Sequence, residues 1–148
     1  MPRRCARREP GMSIDVSALH HITIGCAQDD LPVLLAFYAG TLGLQDGYRP
    51  ALRYPGHWLY AGGHAVLHLN ALLPQSPAPQ GGAVDHIALK AHGLAATRQA
   101  LADAEVPFSE TPLKGTRLHQ LFLQDPLGLK VELNFDMDAE RVPGALAA

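Results

Sequence analysis

The sequence predicts an α+β fold made of two related halves, because one segment of the chain repeats another and similar elements follow each. LHHITI at 19–24 resembles VDHIAL at 84–89, which places His21 opposite His86 at a shift of 65 positions. Each segment opens a half that reads as a strand, a helix and a further set of strands. This order predicts one domain of two equivalent modules.

Two further pairs of segments support the repeat. AVLHLN and LKVELN place His68 opposite Glu132 at a shift of 64 positions. HWLY and HQLF place His57 opposite His119 at a shift of 62, and the longer turn at 125–128 accounts for the difference.

The elements of the first half follow from local patterns. Alternating apolar and polar residues predict a strand at 21–25. Asp29 and Asp30 predict the cap of a helix that begins near Pro32 and ends at glycines. The glycine pair at 62–63 predicts the turn of a hairpin between two further strands.

The second half repeats these elements, with a strand at 86–90, a helix at about 94–104 and a hairpin at 118–135. The N-terminal tail is expected to be disordered, or to reflect a start codon placed before the natural one at Met12. The predicted boundaries are a single domain at 18–136, with module 1 at about 18–73, a linker rich in proline and glycine at 74–82, module 2 at about 83–136, and tails at 1–17 and 137–148.

Composition excludes several classes of protein. A chain with 47% hydrophobic and 18% charged residues is neither disordered nor collagen-like. Its net charge of −2 gives no basic field for a phosphate backbone, so nucleic acid is not an expected partner. No apolar run reaches the ~18 residues of a membrane span. With only Cys5 and Cys26, no disulfide framework is expected, and a cytoplasmic location is predicted.

Side chains that suit a metal ion lie on four of the predicted strands. In each of these strands, every second residue is apolar and faces the helices. The opposite faces carry His21, His68, His86 and Glu132. If the modules pack as pseudo-symmetric copies, three imidazoles and one carboxylate converge on one concave surface, and this donor set suits Zn, Fe, Ni or Co.

The sequence resembles the vicinal-oxygen-chelate superfamily, which includes glyoxalase I, type I extradiol dioxygenases, methylmalonyl-CoA epimerase and the fosfomycin and bleomycin resistance proteins. The resemblance is carried by LHHITI, FYAGTLGL at 37–44, VDHIAL, and FLQDPLGLKVEL at 122–133. It implies two βαβββ modules that form a cupped mixed sheet around one divalent metal ion, which two adjacent oxygens of a small-molecule substrate chelate. It also implies a homodimer, with each site either within one chain or shared between two.

By this resemblance, the metal ligands fall on His21, His86 and Glu132, and Glu132 also belongs to the catalytic set. His68 stands where glyoxalase I has a glutamate, and it is predicted to be either a fourth ligand or the catalytic base. Fe2+ is the expected ion, and Ni2+, Co2+, Zn2+ and Mn2+ are the alternatives.

The favoured reaction is that of an extradiol-type dioxygenase, which needs two histidines and one glutamate around Fe2+. Phe122 departs from its ring-cleavage signature, which has a tyrosine there. A glyoxalase I-like lyase, isomerase or epimerase is the alternative, although His68 replaces its carboxylate. A metal-free protein that binds an antibiotic is the alternative of another class, and the retained ligand residues argue against it.

Further residues are predicted around the metal centre. His57 and His119 are candidate catalytic acid and base groups, because they enter the strands beside the ligand strands. His20 is expected to point away from His21, as neighbours on a strand do, and His64 is expected to face solvent. The aromatic residues predicted to wall the substrate are Tyr54, Trp58, Tyr60 and Phe122.

Overall fold

A strand, a helix and three strands occur twice along the chain in a computed structural model, which describes residues 18–77 and 85–141. A 3-10 turn at Gln28–Asp30 precedes the first helix, which continues into a π-helical segment at Ala36–Thr41, and another 3-10 turn lies at Ala139–Arg141. The predicted fold class is confirmed. The elements are β1 Ile22–Cys26, α1 Leu31–Leu35, β2 Gln45–Gly47, β3 Gly56–Ala61, β4 His64–Ala71, β5 His86–Ala91, α2 Leu94–Asp103, β6 Phe108–Pro112, β7 Leu118–Gln124 and β8 Lys130–Asp136.

Each module forms one four-stranded mixed sheet, with the order β1-β4-β3-β2 in module 1 and β5-β8-β7-β6 in module 2. The first strand of each module runs parallel to its last strand, and the other pairs are antiparallel. Thr23 pairs with His68, and Ala88 pairs with Glu132. The predicted shifts of 65 and 64 are therefore the shifts by which the two sheets correspond.

The shift of 62 between His57 and His119 is wrong as a structural correspondence. His57 pairs with Leu69, whereas His119 pairs with Phe135, two residues beyond the counterpart of Leu69. Leu121 is the residue that corresponds to His57. Matching HWLY with HQLF therefore aligned the two strands two residues out of register.

The apolar side of both sheets contributes to one hydrophobic core, which includes Leu67, Leu69, Val131 and Leu133 as the alternation predicted. One buried hydrogen bond joins the modules: the Tyr38 hydroxyl donates to Oδ2 of Asp125 at 2.9 Å.

Asp125 also fixes the turn between β7 and β8. Its Oδ1 accepts hydrogen bonds from the backbone N–H groups of Leu127 at 2.9 Å and Leu129 at 2.8 Å. Burial, reinforced by the Asp125 charge, raises the pKa of Tyr38, so this phenol keeps the proton that it donates.

Local turn chemistry matches the sequence at some positions and differs at others. Gly62 and Gly63 have φ values of 57° and 78°, the left-handed pair that a two-residue hairpin turn requires. Pro32 lies in the first turn of α1 as predicted. Asp30 is the N-cap residue of α1 as predicted, but its carboxylate makes no capping hydrogen bond and instead accepts one from Ser76, and Asp29 caps neither helical segment.

The segment just after β8, which the sequence assigned to the C-terminal tail, packs on module 2. The Glu140 carboxylate accepts hydrogen bonds from the backbone N–H groups of Gly93 at 2.8 Å and Leu94 at 2.9 Å, where α2 begins. The tail predicted at 1–17 and the linker beyond residue 77 lie outside the described residues. No helix among residues 18–77 and 85–141 is long and apolar enough to cross a membrane.

Candidate metal centre

A stack of three rings forms the centre of the polar face of module 1. The His68 ring lies between that of His21, with centroids 4.0 Å apart, and that of Trp58, with centroids also 4.0 Å apart. His68 is only 6% exposed, and its Nε2 is buried without a hydrogen-bond partner. A buried imidazole nitrogen that lacks a partner is costly, so this atom suits a bound ion or substrate.

The protonation of His68 follows from its surroundings. Burial lowers the pKa of this imidazole because it disfavours the charged form. Neighbouring positive groups lower it further, in the order His21, His20, Arg49 and His64. His68 is therefore neutral near neutral pH and able to accept a proton or donate a lone pair.

His20 and His64 lie closer to this stack than the sequence predicted. Nδ1 of His20 is 2.9 Å from Nδ1 of His21. Nε2 of His64 lies 2.7 Å from the carbonyl oxygen of His20, although the side chain is exposed. The expectation that His20 points away was wrong because both residues precede β1, where strand alternation does not apply.

Glu132 occupies the corresponding position of module 2 in a closed hydrogen-bond network. It is 6% exposed. Its Oε1 accepts hydrogen bonds from Nε2 of Gln120 and from Nδ2 of Asn134, the latter at 2.7 Å. Its Oε2 lies 3.0 Å from Nε2 of His86. These contacts fix the carboxylate in one orientation.

His86 lies between two carboxylates. Its Nδ1 is 2.8 Å from Oδ2 of Asp85, and its Nε2 faces Glu132. Hydrogen bonds from Lys130, at 2.7 Å, and from His86 lower the pKa of Asp85, which is therefore ionised.

The two contacts of His86 provide the test of whether a metal ion fits. A neutral imidazole has one N–H and one lone pair, so it can donate to only one carboxylate. If Nδ1 donates to Asp85, the Nε2 lone pair faces Glu132, and a shared cation satisfies both atoms. In metal sites, the histidine nitrogen that does not bind the ion usually donates its N–H to a carboxylate, a backbone carbonyl or a water molecule, and here Nδ1 would donate to Asp85. His86 and Glu132 thus fit two ligand positions of a divalent ion.

The four candidate ligands form two pairs, His21 with His68 and His86 with Glu132. Within 18–77 and 85–141, no three histidine, cysteine or carboxylate side chains converge as one metal ion requires.

His57 and His119 lie on the other side of the sheets. Their pairing with Leu69 and Phe135 places both side chains on the face that carries the core, opposite His68 and Glu132. This register does not support the prediction that they act at the centre. Each contacts a carboxylate instead, Asp46 at 2.9 Å and Glu110 at 2.6 Å respectively.

The predicted aromatic wall is divided between the modules. Trp58 belongs to the ring stack, and Phe122 pairs with Glu132 across β7 and β8. Tyr60 donates its hydroxyl to the carbonyl oxygen of Tyr48 at 2.8 Å.

Sequence reasoning missed two polar residues near these pairs. Gln120 was not predicted as a site residue. It pairs with Asn134 across β7 and β8, and its side-chain amide donates to Glu132. Arg49 was not among the predicted site residues. Its guanidinium stands 5.3 Å from the centre of the Tyr54 ring, and this side chain is near enough to His68 to affect its pKa.

Comparison with known proteins identifies the family. Residues 18–133 match the Glyoxalase/Bleomycin resistance protein/Dioxygenase superfamily. The chain therefore belongs to this superfamily, as its motifs indicated, and proteins of this superfamily generally use a divalent metal ion. A search of curated proteins found no match.

Solved structures share the fold. The trypanothione-dependent glyoxalase I of Leishmania major is 22% identical, with a TM-score of 0.63 over 83% of this chain and 89% of that one. The fosfomycin resistance protein FosX of Listeria monocytogenes is 18% identical, with a TM-score of 0.64 over 86% and 100%. Lactoylglutathione lyase of Agrobacterium tumefaciens is 20% identical, with a TM-score of 0.59 over 82% and 96%.

Proposed function

We propose that this protein is a divalent-metal-dependent enzyme that activates a small substrate through two adjacent oxygens. His21, His86 and Glu132 are the ligands in this proposal, and His68 carries protons. The observation that supports it most is the position of His86, whose two nitrogens face Asp85 and Glu132. With Nδ1 donating to Asp85, the Nε2 lone pair and Oε2 of Glu132 are two adjacent donors for a cation.

The chain's own residues provide the rest of the chemistry. A divalent ion held by these ligands supplies Lewis acidity at the two substrate oxygens. His68 accepts a proton at Nε2, the atom that has no other partner. Trp58 and Phe122 provide aromatic surface beside the two ligand pairs and exclude water from the substrate.

Extradiol-type ring cleavage with Fe2+ is the reaction that we propose. Two histidines and one carboxylate are the ligand set of non-haem Fe(II) oxygenases, and this set leaves positions for substrate. His68, as a fourth polar group on a different strand, is then free to take the proton of a catechol hydroxyl.

A glyoxalase I-like lyase, isomerase or epimerase is the second candidate. Its support is again His68, which occupies the last strand of module 1 where such enzymes place a carboxylate. Because its Nε2 is unpartnered, His68 can move a proton between two substrate carbons without a carboxylate.

We propose further that the working site is shared by two chains in a homodimer. The two ligand pairs lie on different sheets, and no group of three ligands forms among the described residues of one chain. Pairing module 1 of one chain with module 2 of its partner supplies all three ligands and His68 together.

The test is metal content of protein purified without oxygen, followed by oxygen uptake with catechol, 3-methylcatechol and 3,4-dihydroxybenzoate. Stoichiometric iron with catechol-dependent oxygen uptake is the expected result. Stoichiometric nickel, cobalt, zinc or manganese without oxygen uptake would replace ring cleavage by the lyase or isomerase reaction. Protein that binds none of these ions on titration would contradict the metal-dependent function and favour a small-molecule binding protein.

A further inference from the structure

We propose that Arg49 and Trp58 bind a carboxylate group of the substrate, which makes monoanionic aromatic or acyl acids the substrate class. That this ligand is a substrate rests on the function proposed above. The anion site itself depends only on residues of module 1.

Arg49 follows the strand that pairs with the Trp58 strand of module 1. Gly47, at the end of β2, pairs with Trp58 on β3, and Trp58 in turn pairs with His68. Arg49 follows Gly47 by two residues, just beyond the end of β2, so the chain carries it close to the strand that bears Trp58. The influence of Arg49 on the pKa of His68 agrees with this placement.

The Arg49 side chain is held in position but is incompletely bonded. One Nη2 hydrogen bond reaches the carbonyl oxygen of Tyr54 at 2.7 Å, and the guanidinium lies over the Tyr54 ring. Its Nε is buried without a hydrogen-bond partner. None of the ion pairs formed within 18–77 and 85–141 includes Arg49.

Trp58 supplies a second donor of the same kind. Its indole Nε1 is buried and has no hydrogen-bond partner. A buried donor without an acceptor is destabilising, so two such donors on neighbouring segments favour a ligand that brings acceptor oxygens. An arginine beside an aromatic N–H matches a carboxylate, which accepts several hydrogen bonds and carries the opposite charge.

Charge favours a monoanion over a phosphate. Arg49 is the permanent cation of this cluster, and the other basic groups that affect His68 are the histidines His20, His21 and His64. Tyr54 and Trp58 add aromatic surface beside the proposed carboxylate site. An aromatic or acyl acid therefore fits better than a dianion.

The test uses the full-length protein after treatment with a chelator. Trp58 is the only tryptophan, so its fluorescence reports directly on this face. Benzoate and the neutral benzamide are titrated, because they share a ring and differ in charge. The wild type is expected to bind benzoate at least about tenfold more tightly, and Arg49→Gln is expected to lose this preference. Arg53→Gln is the matched control, since Arg53 is exposed in the same loop and should leave the preference unchanged.

Equal affinity for the two ligands, or a preference that persists in Arg49→Gln, would overturn the proposal. If Arg49→Gln does not fold, Arg49→Lys is measured, and it should keep part of the preference because it keeps the charge. The result is separate from the proposed function, because the titration contains no metal ion. Benzoate selectivity without metal binding would retain the anion site and reject the metal-dependent reaction.

Discussion

The polar faces of the two modules have the same strand order but opposite hydrogen-bonding states. In module 2, Glu132 is bonded to Gln120, Asn134 and His86. In module 1, His68 lies in a ring stack with its Nε2 unpartnered, and the same is true of Oδ1 of Asn70. Module 2 thus holds its proposed ligand groups in place before any ligand arrives, whereas module 1 keeps polar groups unpartnered.

A single position contributes to this difference. Gly56 pairs with Asn70, just as Gln120 pairs with Asn134 in module 2. A Cβ at residue 56 would lie 2.2 Å from the carbonyl oxygen of Leu69, so the close approach of β3 and β4 admits no side chain. Module 1 therefore has no equivalent of the Gln120 amide, and Asn70 keeps a free acceptor.

Loss of a ligand from module 2 should have the largest effect. His86→Ala removes the imidazole between Asp85 and Glu132, and we expect the variant to lose its full equivalent of bound metal. His92→Ala is the matched control, because His92 is an exposed histidine of the same module. Elemental analysis after metal loading measures both. A full equivalent in His86→Ala would reject this histidine as a ligand.

Loosening the Glu132 network should have a smaller effect on metal binding. Gln120→Leu removes a donor to the carboxylate, and losing such a support typically weakens metal affinity by about 10–100-fold. Gln124→Leu changes an exposed glutamine at the end of the same strand and should have no effect. Competition with a fluorescent chelator gives both affinities, and equal values for the two variants would argue against preorganisation by Gln120.

Removing the Tyr38–Asp125 hydrogen bond between the modules tests the stability of the fold instead of the candidate site. Tyr38→Phe leaves the Asp125 carboxylate buried without its hydroxyl donor, and we expect the free energy of unfolding to fall by about 1–3 kcal/mol. Tyr48→Phe removes the hydroxyl of a tyrosine that is 77% exposed and should be neutral. Denaturant unfolding compares the two variants, and an unchanged midpoint in Tyr38→Phe would show that this hydrogen bond adds no stability.

The smallest expected effect concerns the apolar side of the sheets, where each module has a carboxylate–histidine pair. Hydrogen bonds from Arg98 and His119 lower the pKa of Glu110. A lowered carboxyl pKa stabilises the fold at pH values above the unfolded pKa, and this stabilisation is lost as pH falls through the folded value. The difference in Tm between wild type and Glu110→Gln should therefore shrink on acidification.

Asp46→Asn is the matched variant for this experiment, because Asp46 contacts His57 in module 1. Thermal unfolding at several acidic pH values measures both variants. A difference for Glu110→Gln that grows as pH falls would contradict the assigned sign.

The fold could be predicted because a period of two and an internal repeat are both visible in the sequence. The matched shifts of His21 with His86 and His68 with Glu132 located the correspondence of the sheets from residue patterns alone. The short strands β2 and β6 could not be located, because QDG and FSETP carry no apolar alternation.

The site was predictable only in part. Residue types gave the polar face, but not which side His57 and His119 occupy, since that depends on which residues of β4 and β8 they pair with, and a register shift of one residue reverses the side. Arg49 escaped notice because loop residues have no periodicity that predicts where a side chain points. Its placement depends on its spacing from Gly47, which only the pairing of β2 with β3 provides.

The most direct test of a shared metal centre is a complementation experiment between the modules. His21→Ala disables module 1 and Glu132→Gln disables module 2, and the two chains are coexpressed with different affinity tags to isolate the mixed dimer. Each variant alone should bind no metal, whereas the mixed dimer should regain one metal ion, because one of its two shared sites contains only intact modules. A mixed dimer that binds no metal, or single variants that retain a full equivalent, would contradict a centre built from module 1 of one chain and module 2 of its partner.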